Sequence, residues 1–168
     1  MNEIKKRLEA LLFSSPEPVS PRKLGEILGI SPGDVRKLVE VLNQEYRDTG
    51  RSFTIKEVAG GFIMLTLPEY GELIEKLRGR RGKLSRSALL TLAIIAYRQP
   101  ITKAEIDEIR GVDSGWVIRN LLDMGLIKVV GKKETVGRPS LYGTTDEFLK
   151  AFNLRSLQDL PPLEDETL

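Results

Sequence analysis

Residues 17–42 read EPVSPRKLGEILGISPGDVRKLVEVL, and 82 positions later residues 99–124 read QPITKAEIDEIRGVDSGWVIRNLLDM. Laid on one another without gaps, the two stretches share Pro18 with Pro100, Glu26 with Glu108, Ile27 with Ile109, Gly29 with Gly111, Gly33 with Gly115 and Val35 with Val117. Val19/Ile101, Ser20/Thr102, Leu24/Ile106, Ile30/Val112 and Val39/Leu121 are conservative pairs. A shared Pro-to-Gly spacing together with a matched apolar phase identifies a duplicated domain.

Each copy has the same local grammar. A first helix carries Ile4, Leu8, Leu11 and Leu12 at helical spacing in copy one and spans Ser87–Tyr97 in copy two. Pro18 or Pro100 ends the connection that follows. The second helix starts at Ser20 with Pro21 behind it, or at Thr102 with Glu105 three residues on, which is a capping box. Gly29 or Gly111 marks its C-terminal turn. The third helix starts at Ser31, or at Asp113/Ser114. Short β signals come next: Phe53–Val58 and Phe62–Leu67 around Ala59-Gly60-Gly61, then Leu126–Val130 and Ser140–Thr144 around a loop with Lys132, Lys133, Gly137, Arg138 and Pro139. Three helices and a hairpin predict two tandem winged helix-turn-helix domains, mostly α with short β-hairpin wings. The expected boundaries are a first winged helix over 1–78, a basic linker over 79–84, a second winged helix over 85–152 with a short helix at Asp146–Phe152, and an acidic, proline-containing tail over 153–168.

The 168-residue chain contains neither histidine nor cysteine. Disulfides, thiolate nucleophiles, ordinary zinc and iron–sulfur sites and histidine-based triads are therefore excluded. No glycine frame precedes Gly82-Lys83 or Gly131-Lys132-Lys133, there is no GxGxxG, and no carboxylates stand at metal-ligand spacing. Asp107/Glu108 read as the solvated face of a helix. No cofactor, metal or small-molecule substrate is expected, and an enzyme is the least favoured class. Net charge is +2, but after Arg155 the only charges are Asp159, Glu164, Asp165 and Glu166, which leaves +6 on residues 1–155. The longest apolar run, Leu92–Tyr97, is too short to span a bilayer, and no signal-peptide pattern opens the chain. A soluble cytoplasmic protein without membrane contact is expected.

The third helices test for DNA reading. In copy one Val35, Leu38, Val39 and Leu42 form the apolar stripe, and Asp34, Arg36, Lys37, Glu40, Asn43 and Gln44 outside it mix both signs. Major-groove readers need Arg, Lys, Asn or Gln without carboxylates against the phosphates. In the ungapped alignment, Asp34, Arg36 and Glu40 face Trp116, Ile118 and Leu122, while Val117, Leu121 and Met124 keep the stripe. Two readings stand side by side: deeper burial of this helix, or an apolar surface for a protein partner. The helix around Ala88–Tyr97 is apolar nearly all round and calls for a second neighbour, within the chain or outside it. Leu89, Ile94, Tyr97, Trp116, Ile118 and Leu122 are the candidate partner-binding residues. The basic run from Arg78 through Arg80, Arg81 and Lys83 to Arg86, with Lys128, Lys132, Lys133 and Arg138 on the second wing, reads first as solvated linker and wing and second as a site of weak, non-specific DNA contact.

Residues 84–112 (LSRSALLTLAIIAYRQPITKAEIDEIRGV), the wing stretch 136–145 (VGRPSLYGTT), Glu147-Phe148-Leu149 and residues 157–163 (LQDLPPL) resemble the segregation and condensation protein B (ScpB) family. The opening LEALLFSS at 8–15 and Gly60-Gly61-Phe62 add a looser likeness in copy one, whereas Ser114-Gly115-Trp116 departs from the family pattern. The resemblance implies a non-enzymatic adaptor of the bacterial SMC condensin complex, at the nucleoid. It implies a homodimer formed mainly through the first winged helix, bound to the kleisin ScpA, which bridges SMC heads. Gly137, Arg138 and Pro139 match the family wing motif, with a geometric role ranked ahead of a partner contact. The alternative class is a winged-helix transcription regulator that binds specific DNA.

Overall fold

A computed structural model describes residues 2–79 and 84–163. They group into two units, one made of residues up to 79 with 153–156, the other of 84–152 with 157–163.

In the first unit α1 (Asn2–Ser14), α2 (Pro21–Leu28) and α3 (Pro32–Asp48) are followed by the hairpin β1 (Phe53–Val58) and β2 (Gly61–Thr66). Ser20 caps α2, its side chain accepting from Lys23 N, and Ser31 caps α3 in the same way, accepting from Asp34 N. Each serine satisfies an amide that the helix itself leaves without an acceptor. Gly29 closes α2 at φ 70°, a left-handed conformation that side chains with a Cβ resist. Leu8, Leu12, Leu24, Val35, Leu38, Val39, Leu42, Tyr46, Ile55 and Phe62 form one buried cluster. The hairpin turns on Ala59 and Gly60, both at positive φ, with Val58 opposite Gly61. This two-residue turn matches the strand twist, and it places Gly61 in the strand instead of in the expected turn. Leaving Gly61 bare has a reason: a Cβ there would sit 2.9 Å from the backbone carbon of Pro18. Val19 exchanges backbone hydrogen bonds with Phe62 at 2.9 and 2.8 Å, so the connection after α1 lies against the wing.

Residues 67–79 hold structure that periodicity did not reveal. A 3-10 turn at Pro68–Tyr70 runs into α4 (Gly71–Arg78), a helix with no buried residue. Arg78 therefore ends a helix, and Arg86 begins the next; neither belongs to an extended linker. Arg80, Arg81 and Lys83 lie outside the described residues, as does the acidic end of the tail from 164 onward. Residues 153–156, expected as tail, group with the first unit, where Leu154 O accepts from Ala59 N at 2.8 Å.

The second unit contains α5 (Arg86–Arg98), β3 (Ile101–Thr102), α6 (Lys103–Arg110), α7 (Gly115–Asp123), β4 (Ile127–Lys132), β5 (Ser140–Thr144) and α8 (Asp146–Ala151). The strands form an antiparallel sheet in the order β3-β5-β4, with a bulge between Val129 and Gly131. Its second-helix caps repeat those of the first unit position for position. Thr102 stands 82 residues after Ser20 and accepts from Glu105 N, and Gly111, 82 after Gly29, takes φ 73°. Leu92, Ile95, Ile106 and Leu121 are essentially inaccessible at its core. Tyr97 Oη donates to Pro161 O at 2.6 Å, which holds the last described residues on this unit.

The capping box reaches the second wing. Glu105 accepts from Thr102 N at 2.8 Å and from Lys133 Nζ at 2.6 Å. The Lys133 ammonium and then the Thr102 amide hold its carboxyl down from 4.5 to about 2. A carboxyl lowered by folding stabilises fully above its unfolded value, and the contribution is lost as pH falls through the folded one. Both side chains are roughly two-fifths exposed, so solvent screens the pair. Glu105→Gln is expected to lower stability at neutral pH by up to about 1 kcal/mol. Thermal melts over a pH series should show the gap between wild type and variant closing from about pH 4.5 towards 2.

Candidate protein-binding surfaces

The third helix of the first unit has its polar groups engaged within the chain. Arg36 forks onto Glu57 of β1 at 2.9 and 3.1 Å, and its guanidinium carbon lies 5.5 Å from the centre of the Phe62 ring. Asn43 accepts from Ile55 N at 2.8 Å and donates to Ile55 O at 2.8 Å. Lys37 lies 3.7 Å from Asp34, while Gln44 bonds Asp48 and Arg47 bonds Gln44. Tyr46 donates to Glu9 of α1 at 2.6 Å, and burial followed by that carboxylate raises its phenol well above the ordinary range. These bonds tie α3 to the wing and to α1, and they leave few donors to read base edges.

The second unit corrects the ungapped repeat. Copy two has one more residue between its second and third helices: Gly29 and Ser31 are two apart, Gly111 and Ser114 three. From the N-cap onward the correct offset is therefore 83. Ser31 corresponds to Ser114, Val35 to Ile118, Arg36 to Arg119, Leu38 to Leu121, Val39 to Leu122 and Glu40 to Asp123. Ile118 is 3% exposed, Leu121 inaccessible and Leu122 half-buried, the stripe that Val35, Leu38 and Val39 form in the first unit. The polar-to-apolar replacements at 118 and 122 were a consequence of the register. Val117 is half-buried and Met124 exposed, so neither belongs to the fully buried stripe.

The extra residue has a chemical cause in the turn. In the first unit Ile30 N donates to Gly25 O at 3.0 Å, and a Cβ on Gly25 would lie 2.6 Å from Ile30 O. Its counterpart Asp107 brings a carboxylate that accepts from Ser114 N at 2.8 Å and from the Ser114 hydroxyl. Lys103, 2.7 Å from Asp107 and 3.2 Å from Asp113, balances the charge. Asp113 accepts from Gly115 N at 2.7 Å. Two aspartates thus serve the start of α7, in place of the single serine that caps α3.

Trp116 remains after this correction. Its first-unit counterpart is Gly33, and it is 72% exposed. Val112 is exposed too, and Arg119, one turn on, is exposed with no partner among the described residues. Exposed tryptophan and arginine on one helix face are the side chains that most often anchor protein interfaces.

On α5 the candidates separate. Ile94 is 1% exposed and belongs to the core, whereas Leu89 and its neighbour Leu90 are 44% exposed. Tyr97 is half-buried with its hydroxyl on Pro161. Ile94 and Ile118 are thereby removed from the partner-facing set, because a side chain sealed by its own unit offers no area to another molecule.

The second wing loop is shaped by Gly137 at φ 83° and Arg138 at φ 42°. Arg138 N donates to Thr135 O at 2.9 Å, and Lys133 N to Pro139 O at 2.9 Å. The Arg138 guanidinium lies 3.5 Å from Glu134, an exposed pair of little energetic weight. Lys133 is engaged by Glu105, whereas Lys128 and Lys132 are exposed with no partner among the described residues. Among the described residues there is no metal-ligating cluster and no helix long and apolar enough to cross a membrane.

One feature escaped the sequence reading. In α4, Leu73 is 65% exposed and Leu77 87%, with Ile74 half-buried beside them. The i, i+1, i+4 spacing in GELIEKLR was the available signal.

Two winged helices, the first with its third helix tied up internally and the second with Trp116 and Leu89 exposed, define a tandem winged-helix module. The model of the family "Segregation and condensation complex subunit ScpB" matches residues 6–163. Segregation and condensation protein B of Syntrophotalea carbinolica is 49% identical over 166 residues, covering 98% of this chain and 84% of its own. That of Symbiobacterium thermophilum is 48% identical over 167 residues, covering 99% and 76%. A crystal structure of a conserved hypothetical protein from Chlorobium tepidum is 42% identical, covers 92% of this chain and all of its own, and has a TM-score of 0.43. The chain belongs to the ScpB family of segregation and condensation complex subunits.

The separation of core from surface has a direct test. Ile118→Ala is expected to destabilise the second unit by about 2–5 kcal/mol. Trp116→Ala should stay within about 0.5 kcal/mol of wild type. Urea unfolding of both variants measures the difference, and equal losses would return Trp116 to the core.

Proposed function

We propose that the chain is a non-enzymatic adaptor of the SMC–kleisin complex in chromosome condensation and segregation. It works as a homodimer that binds the kleisin ScpA at the nucleoid, in the cytoplasm. The first winged helix carries the dimer, and the second binds the kleisin. Membership of the family supports the complex and the process, since the family is named for them. The observation that carries the kleisin site is the outer face of α7, where Trp116 is 72% exposed and Arg119 follows one turn on. Leu89 on α5 is a further contact, and the half-buried Tyr97 and Leu122 border the apolar surface. A kleisin segment that covers Trp116 removes a large apolar area from water without disturbing the core.

Trp116 is the only tryptophan, so its emission reports directly on this face. Titration with the central region of ScpA should shift that emission to the blue. Trp116→Ala should weaken the complex at least tenfold by calorimetry, with folding unchanged. Undiminished affinity would remove α7 from the site.

A weak contact with DNA is a subsidiary reading, favoured by the exposed Lys128 and Lys132 on the second wing. Arg78 at the end of α4 adds one exposed charge. Binding through the two wing lysines alone should be independent of sequence, with a logarithmic salt slope of about −2. A tight, sequence-specific duplex complex at physiological salt would favour the transcription-regulator class instead.

A further inference from the structure

We propose that the open edge of β4, on the second wing, takes up an extended acidic segment of a partner protein as a further strand. The site uses neither Trp116 nor Leu89. In the sheet order β3-β5-β4, β4 has a neighbour on one side only, and among the described residues its other edge takes part in no backbone hydrogen bond. Such an edge is a template for pairing with another chain. The first unit closes its own open edge: the Asn43 side chain accepts from Ile55 N and donates to Ile55 O, both at 2.8 Å, as a strand would. The residue 83 positions on, Leu126, is buried and carries no amide to do the same. β4 also exposes apolar area, with Val129 and Val130 each 48% exposed between Lys128 and Lys132. The two lysines decide the occupant. Both are exposed with no partner among the described residues. A second copy of β4 paired antiparallel about Val130 sets Lys128 against Lys132, and like charges directly opposite one another destabilise a strand pair. Carboxylates in those two places attract instead. The start of the strand meets a cleft of about 250 Å³ lined by Lys128, Thr144, Thr145, Asp146, Leu149 and Leu157. Its two leucines suit an apolar side chain, and Asp146 disfavours an acid there. The occupant is thus an apolar stretch flanked by acids, with one more apolar side chain beyond them.

The test uses the full chain and a dye-labelled synthetic octapeptide that alternates aspartate with valine and ends in leucine, read by fluorescence anisotropy at physiological salt. Saturable binding is expected. Lys128→Glu with Lys132→Glu should weaken it at least tenfold at an unchanged melting temperature, since both side chains are exposed. A peptide that alternates lysine with valine should bind this variant in place of the acidic one. Two N-methylated forms of the acidic peptide separate strand addition from charge attraction. Methylation of one alternate set of amides removes the donors that face β4 and should abolish binding, whereas methylation of the other set should leave it. Absence of saturable binding overturns the proposal, and so does equal binding of all three acidic peptides. Displacement of the peptide by random-sequence duplex DNA assigns the lysines to phosphates and overturns it too. Displacement by the central region of ScpA makes the edge part of the kleisin site, which overturns a separate partner surface.

Discussion

Both units depend on one constraint: the third helix must meet the core with its apolar stripe, and the turn before it sets the angle at which it does so. A left-handed glycine ends the second helix at φ 70° in one unit and 73° in the other. Few other residues hold that conformation cheaply. Hydrogen-bond acceptors at the start of the third helix then fix where it begins. Val35 and Leu38 in one unit, Ile118 and Leu121 in the other, reach the interior because of that geometry. The wings follow, because α3 is bonded to β1 through Asn43 and Arg36, and α6 to the second wing through Glu105.

Much of this was legible in the sequence, because caps and glycines are local signals. Ser20, Thr102, Gly29 and Gly111 do in the structure what their positions announced. The hairpins were legible through their alternating β-branched and aromatic residues. The third helix of copy two was misread because an ungapped comparison forces one offset on a turn that had gained a residue. The warning was present: offset 82 places Asn120 on Leu38 and Asp123 on Val41, while offset 83 aligns Ser31 with Ser114 and Leu38 with Leu121. Helical periodicity survives such a shift only partly, since one residue turns a side chain by about 100°. The candidate surface was half legible for the same reason. Trp116 and Leu89 are exposed, whereas Ile94 and Ile118 are sealed, and composition does not separate an outward isoleucine from an inward one. α4 passed unnoticed because eight residues carry too little periodicity to stand out.

The charge pattern separates the third helices of the two units. Arg36 is held by two bonds to Glu57 and lies over Phe62, which serves packing between helix and wing. To reach a phosphate it would have to give up a bidentate carboxylate, the stronger kind of charged hydrogen bond. In the second unit Arg119 has no such partner, but it shares its face with Trp116. The same helical position is therefore held within the fold in one copy and exposed in the other.

The additional residue between Gly111 and Ser114 has a consequence for how duplicated domains diverge. A length change absorbed in a turn leaves the interior untouched, because the helix restarts from its new cap with the old apolar phase. The surface beside the new cap has diverged separately, by substitution: Gly33 in one copy, Trp116 in the other. A turn of this kind thus accommodates a change of length and a change of surface side by side. Two copies of one scaffold thereby display different surfaces without renegotiating the core that keeps each of them folded.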